Sequence, residues 1–200
     1  MIQPIVEGHG EVPAVPVLIR QLAQFMAVHG VQVAQPIRRP RSKLVQKDGL
    51  EQAVALARIQ TGCEAIVVLL DAHEDCPKKP APDLQRWAVQ VANPLPCSVV
   101  FAKKEYEGWF LSCVESLRGQ RGISASAISE PQPEEVRDAK GRLESKMEAG
   151  RKYVATSDQV ALTAVADWAT VHTKCRSFRK FAKETKRLLQ ACNTRPQDWP

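Results

Sequence analysis

Apolar residues along this chain switch between two spacings. Ile2 to Val6 is apolar except at Gln3 and runs into the turn Glu7-Gly8-His9-Gly10, which predicts a short strand. Pro4 has no N–H to give to a ladder, so an edge position or a strand start is expected. Val15, Leu18, Ile19, Leu22, Phe25 and Met26 then recur at helical spacing and predict a helix over about 12–28. Pro13 and Pro16 fall in or near its first turn, and Gly30 ends it. Val31 to Ala34 is the second candidate strand, followed by a basic loop from Pro36 to Lys47. Leu50, Val54, Ala57 and Arg58 open another helical pattern, closed by Gly62. The unbroken apolar run from Ala65 to Leu70 predicts a central strand buried on both faces. A Pro-rich loop (Asp75 to Pro82), a helix (about 84–92), a strand (Ser98 to Ala102) and a helix carrying Trp109, Phe110, Cys113, Val114 and Leu117 follow.

Strands alternating with helices are the signature of parallel βαβ units. An α/β fold is therefore expected over residues 1–118, with a mostly parallel sheet flanked by helices. From about Gly119 no strand is expected. A polar Ser/Pro/Glu loop leads into helices near 134–148, 159–171 and 177–192, read as a helical C-terminal extension (119–200) packed on the same domain.

Composition narrows the class. The chain has 200 residues, 44% hydrophobic and 25% charged, enough for a buried core without disulfides or a structural metal. The six cysteines form no C-x-x-C pair, which argues for reduced thiols rather than a zinc ribbon or a disulfide scaffold. The first residues do not read as a signal peptide, and the longest pure apolar run is too short to span a bilayer. A cytoplasmic protein with no membrane partner is expected. A net charge of +6 permits a polyanionic partner. The charge is clustered: Arg38, Arg39, Arg41 and Lys43 lie in the first loop, and a second group runs from Lys174 to Arg187. The loop arginines suit phosphate contacts, against the alternative of a solvated loop. The second group reads as the outer face of a helix whose Phe178, Phe181, Leu188 and Leu189 face the core. His9 is either a ligand or a surface turn residue; His29 and His172 have no partner at motif spacing.

Ligands collect beyond the carboxyl ends of strands in an open parallel sheet, and here those ends are acidic. The first strand ends in Glu7, with Glu11 in the same turn. The central strand runs into Asp71-Ala72-His73-Glu74-Asp75, and the last into Lys103-Lys104-Glu105-Tyr106-Glu107. Carboxylates brought together on one rim suit Mg²⁺ or Mn²⁺ and phosphoryl transfer, with the lysines beside Glu105 placed to neutralise developing charge.

The segments Val6-Glu7-Gly8-His9-Gly10-Glu11, Leu69-Leu70-Asp71-Ala72-His73 and Glu105-Tyr106-Glu107-Gly108-Trp109-Phe110 together resemble the Toprim superfamily. Within it the chain resembles a bacterial family catalogued only as a domain of unknown function (DUF4276-like), related to the nuclease domains of OLD-type proteins. Asp158-Gln159 and Arg176-Ser177-Phe178-Arg179-Lys180 resemble that family's helical half. The resemblance implies a Toprim/Rossmann-like sheet in which Glu7 is a metal ligand or general acid/base. It also implies that Glu7 and Glu11 form an E-x-x-x-E pair and that Asp71 opens a D-x-D metal motif. His73 stands where the second aspartate is expected, and Asp75 is the residue placed to compensate.

The function expected from these readings is that of a metal-dependent nuclease or related phosphoryl-transfer enzyme on nucleic acid. Glu7 and Glu11 would be catalytic, with Lys104 assisting. Glu7, Glu11, Asp71, His73, Asp75 and Glu105 would hold Mg²⁺ or Mn²⁺, and Arg38, Arg39, Arg41 and Lys43 would contact nucleic acid. The resemblance further implies a role in mobile-element or phage defence with an ATPase partner, which would be a separate chain because no P-loop motif is present. The alternatives are a non-catalytic nucleic-acid or protein-binding module, which His73 favours, and a phosphohydrolase for a small nucleotide.

Overall fold

A computed structural model describes residues 1–73, 80–192 and 194–199. Four parallel strands, β1 (Ile2–Val6), β2 (Ile37–Arg38), β3 (Ala65–Asp71) and β4 (Cys97–Ala102), form one sheet in the order β2-β1-β3-β4. All seven residues of β3 and all six of β4 are buried, as the unbroken apolar runs require. Alternation along β3 feeds two cores. Val67 and Leu69 enter one; Ile66, Val68 and Leu70 enter the other.

Helices α2 (Arg41–Leu44), α3 (Lys47–Arg58) and α4 (Ala81–Ala92) belong to the second face. The opposite face carries α1 (Glu11–Phe25), α5 (Glu107–Leu111), α6 (Val114–Leu117), α7 (Ala139–Glu144), α8 (Ala155–Val165), α9 (Trp168–Lys174) and α10 (Arg176–Ala191). The chain is thus α/β with a helical C-terminal region. That region completes the larger core: Trp168 stacks on Phe178 with centroids 5.1 Å apart, and Phe178 meets Trp109 edge-on at 5.2 Å. Among the described residues no helix is long and apolar enough to cross a membrane. Cys63, Cys97, Cys113, Cys175 and Cys192 are free thiols, and burial pushes Cys97, Cys113 and Cys175 up to about 12.

Several expected elements are corrected. β1 is an inner strand despite Pro4. The backbone groups of Ile2 pair with Gln32 and Ala34, and the Val6 carbonyl accepts from Arg39 N–H. Strand alternation therefore turns the Pro4 nitrogen to that same side, where pairing lapses between Ala34 and Ile37. The Gln3 side-chain amide fills the gap, donating to Gln35 O at 2.9 Å and Pro4 O at 3.1 Å. The second strand is Ile37–Arg38, inside the expected basic loop, because that pair meets Ile5 and Val6 in register; of the expected 31–34 strand only a bridge from Val33 to Ile2 remains.

Side-chain caps divide the expected long helices. Ser112 Oγ bonds back to Trp109 O at 2.7 Å, and the helix expected over 109–117 breaks into α5 and α6. Asp167 accepts from Ala169 and Thr170 N–H at 3.1 Å each, starting α9 afresh after α8. Asp138 accepts from Gly141 N–H at 2.9 Å, so the helix expected over 134–148 becomes a 3₁₀ turn (Pro133–Glu135) followed by α7.

The turn between β1 and α1 is clamped by α8. A Cβ at Gly10 would lie 2.0 Å from Gln159 Oε1 and 2.7 Å from the Ala155 carbonyl. A side chain can rotate away, but a helix carbonyl moves only with its helix. Gly10→Ala is expected to lower the unfolding free energy by about 1–3 kcal/mol, read from urea midpoints at unchanged slope. A variant within about 0.5 kcal/mol of wild type would show that α8 does not hold this turn.

Candidate metal centre at the carboxyl ends of the strands

Because all four strands are parallel, their carboxyl ends share one rim. β1 delivers Glu7, and β3 delivers Asp71 and His73. One ligand atom from each of Glu7, Asp71 and His73 lies within 4.8 Å of the others, and His73 Nε2 is 3.2 Å from Glu7 Oε1. The Asp71 side chain is buried, and its Oδ1 accepts the Tyr106 backbone N–H at 2.8 Å.

Two left-handed residues produce this arrangement. His73 (φ 50°) and Lys104 (φ 63°) bend the chain just beyond β3 and β4, and His73 N–H donates to the Lys104 carbonyl at 2.7 Å. Histidine tolerates this region better than lysine does, and a non-glycine residue held there costs on the order of 1–3 kcal/mol. The bends let the chain beyond β4 present Tyr106 N–H to Asp71 and turn the His73 ring toward Glu7.

Glu11 lies in the first turn of α1 with its carboxylate folded back: Oε2 accepts Gly8 N–H at 2.7 Å and Glu7 N–H at 3.2 Å. Glu105 turns toward α7, where its oxygens meet Lys140 N–H at 3.1 Å and Lys140 Nζ at 3.4 Å. Lys104 serves the rim through its carbonyl. Arg38 Nη1 donates to Glu7 O at 3.2 Å. Arg41 donates to the Asp71 carbonyl and lies 3.9 Å from Glu7 Oε2. Two of the loop arginines therefore brace the backbone that carries the carboxylates, and Arg41 also faces the Glu7 carboxylate, while Arg39 and Lys43 are exposed. Asp75 lies outside the described residues.

Three participants were not singled out as site residues by sequence. Glu107, at the start of α5, is 1% exposed. Its Oε1 accepts the Tyr153 hydroxyl at 3.0 Å, and its Oε2 lies 3.9 Å from Lys140 Nζ. Glu107 does stand in the acidic end of the last strand and in the segment Glu105 to Phe110 that carries the resemblance, but no role was attached to it. Lys140 and Tyr153 come from the C-terminal half and carry no local signal at all.

Glu7, Glu11, Asp71 and Glu107 thus crowd one poorly hydrated rim. Burial, partly relieved by Gly8 N–H and reinforced by Glu7 and Glu107, pushes Glu11 up to about 7. Burial, followed by Glu11, Glu107 and Glu7, raises Asp71 well above the usual carboxylate range. Burial also raises Glu107, against the pull of Lys140. Burial opposes charge on Lys140, but Glu107, Asp71 and Glu105 hold its proton more tightly than usual. Two buried oxygens, Glu7 Oε2 and Glu107 Oε2, have no hydrogen-bond partner among the described residues. A divalent cation fits this set, since it would satisfy orphaned carboxylate oxygens and offset their mutual repulsion. An imidazole among the donors suits Mn²⁺ and other transition metals better than Mg²⁺.

A carboxyl raised by burial binds its proton more tightly folded than unfolded, so stability falls as pH rises through the interval between the two values. For Glu11 that interval runs from 4.5 to about 7, on the order of 3 kcal/mol. The metal-free protein is expected to melt at a lower temperature at pH 8 than at pH 5.5. Glu11→Gln, which keeps an oxygen acceptor for Gly8 N–H, should flatten the difference by raising the pH 8 value. Melting curves in a chelator at both pH values check this; an equal pH dependence in wild type and variant would refute it.

Comparison with protein families finds a match to the family described as "Domain of unknown function (DUF4276)", over residues 6–184. No curated protein and no solved structure matches the chain. The matched span takes in the Glu7 turn, β3, β4 and α5, and also α7 and the loop after it, which supply Lys140 and Tyr153 to the same rim. The chain belongs to the DUF4276 family.

Proposed function

We propose that this protein is a divalent-metal-dependent phosphoryl-transfer enzyme acting on nucleic acid, with Glu7, Asp71 and His73 as the cation's protein ligands. The observation that carries the reading is the convergence of these three side chains within 4.8 Å on a buried Glu7 oxygen that has no hydrogen-bond partner among the described residues. The resemblance of the three acidic strand ends to the Toprim pattern supports it. A bound divalent cation supplies charge stabilisation at a transferring phosphate and lowers the pKa of water beside it.

The chain's own residues do the rest. Arg41 and Arg38 hold Glu7 and the end of β3 in place. Glu11, at about 7, is matched to proton transfer near neutral pH. Because its Oε2 already accepts two N–H groups, Oε1 is the atom that takes up and releases the proton. Lys140, held charged by its carboxylate neighbours, is 43% exposed and offers its ammonium to an incoming phosphate.

The second reading, a non-catalytic binding module, draws on the same lysine. Lys140 and Arg41 already supply positive charge to the carboxylates, as they would in a site that had dispensed with metal.

Calorimetric titration with Mn²⁺ separates the two. Asp71→Asn keeps an acceptor for Tyr106 N–H and removes only charge, and it is expected to weaken Mn²⁺ binding by at least about tenfold with the fold intact. Wild type at a hundredfold excess of Mn²⁺ over Kd should gain about 2.7 kcal/mol in stability. Equal Mn²⁺ affinity in both proteins, or none in either, would exclude Asp71 as a ligand.

A further expectation concerns metal choice. His73→Asp adds a hard carboxylate to the set and should improve Mg²⁺ affinity relative to Mn²⁺. An unchanged metal ranking would remove His73 from the site.

A further inference from the structure

We infer that the outer face of α10 is a track for a nucleic-acid backbone, leading away from the carboxylate rim. This names a binding surface for the partner in the reading above and rests on that reading for the identity of the rim. The helix is strongly divided. Phe178, Phe181, Leu188 and Leu189 are buried in the core, while the other side carries a run of cations.

The structure sorts those cations into two groups. Arg179 donates to the His172 and Thr173 carbonyls at 3.0 and 2.9 Å, closing α9. Lys186 pairs with Asp198. Arg187 donates to Cys97 O and to Glu184 at 2.9 Å each. Arg176, Lys180 and Lys183 remain. All three are exposed, and none of their side chains makes a hydrogen bond or ion pair among the described residues.

Glu184 is the one acidic residue of α10, and it folds toward the sheet, where it accepts from Ser98 Oγ at 2.7 Å. From Arg176 to Lys183 the helix itself carries no carboxylate; Glu134 caps its start through the Arg176 and Ser177 backbone N–H groups at 2.9 and 2.7 Å, and Asp198 stands against Lys186 beyond the three cations. Arg176, Lys180 and Lys183 follow one another at four and three residues, one turn apart, and span about 10 Å along the axis. That matches about three phosphates of one strand at ~3.4 Å each. Grooves of about 580 and 490 Å³ flank the ridge, with Lys180 in the first and Lys183 in the second.

The direction of the helix links the track to the rim. At its start, Ser177 Oγ accepts from Trp109 Nε1 at 2.9 Å, two residues beyond Glu107. At its other end, Arg187 reaches Cys97 at the beginning of β4. The cations thus run antiparallel to β4, from the carboxylates toward the opposite end of the sheet. An anionic membrane is the poorer occupant, because the apolar side of α10 is consumed by the core and none is left to enter lipid.

The test is fluorescence anisotropy of a labelled random-sequence oligonucleotide with the full chain, in a chelator and across a salt series. The triple variant Arg176→Ala, Lys180→Ala, Lys183→Ala should lose about tenfold or more in affinity at low salt. Its log–log salt slope should fall by about 2 to 3. The matching Gln triple variant, which keeps side-chain length, should behave alike, so that a folding defect in one variant cannot mimic the result. Lys47→Ala, Arg58→Ala, Arg86→Ala removes the same charge from α3 and α4 on the opposite face and should leave binding near wild type.

An unchanged slope in the α10 variants would overturn the inference. So would an equal loss in the α3/α4 control, or wild-type binding to anionic vesicles without binding to the oligonucleotide. Hydrolysis of a small phosphodiester by wild type with Mn²⁺ reports on the rim separately. Oligonucleotide binding that depends on α10, with no such hydrolysis, would uphold the track and reject the phosphoryl-transfer reading.

Discussion

Asp71 ends the most deeply buried strand of the sheet, and the surrounding rim is organised around the difficulty of placing a carboxylate there. One oxygen is met by a backbone N–H, that of Tyr106, reached only because the chain bends through left-handed Lys104. The companion bend at His73 is bonded to the Lys104 carbonyl, so the exits of β3 and β4 are fixed to each other. Charge is offset from two sides, by Arg41 on the strand carbonyl and by Lys140 among the neighbouring carboxylates. Burial first, and then the mutual repulsion of the carboxylates, raises the carboxyl pKa values of Glu11 and Asp71, and two buried carboxylate oxygens are left without a hydrogen bond among the described residues, an arrangement that a divalent cation would fit.

The same constraint joins the two halves of the chain. Lys140 and Tyr153 reach Glu107 from beyond the βαβ region, and Gly10 packs against the start of α8 closely enough to exclude a Cβ. The larger core runs without interruption from β1 and α1 through Trp109 to Trp168, Phe178 and Phe181. Removing the C-terminal helices would expose one sheet face and at the same time strip the rim of Lys140, leaving Arg41 as its counter-charge. The family match covers residues 6–184 and so spans both halves.

Much of the fold was legible in the sequence. The runs Ala65 to Leu70 and Ser98 to Ala102 could be little other than buried parallel strands, and the acidic residues after each strand had to meet once the strands were parallel. The misses have local causes. Pro4 argued for an edge because the side-chain amide of Gln3, which fills the gap in the ladder, leaves no pattern in sequence. The second strand was misplaced because its two residues derive their strand character from register with Ile5 and Val6 rather than from propensity. Helices over 109–117, 134–148 and 159–171 were drawn too long because Ser112, Asp138 and Asp167 act as back-bonding or capping groups, and periodicity does not register caps.

The sequence by itself determined the α/β class, the two-sided burial of β3, the rim on which Glu7, Asp71 and His73 stand, and the basic face of α10. These follow from residue order alone, since strand direction and side-chain period are set along the chain. Only the tertiary structure decided which charges touch. It folded Glu11 back onto its own turn, drew Glu105 to Lys140, brought buried Glu107 to the rim, and set Arg38 and Arg41 on the backbone carbonyls of Glu7 and Asp71. Those outcomes depend on distances between segments tens of residues apart, and electrostatic energy in a buried site is governed by those distances and by the loss of water, neither of which is written in any local stretch of sequence.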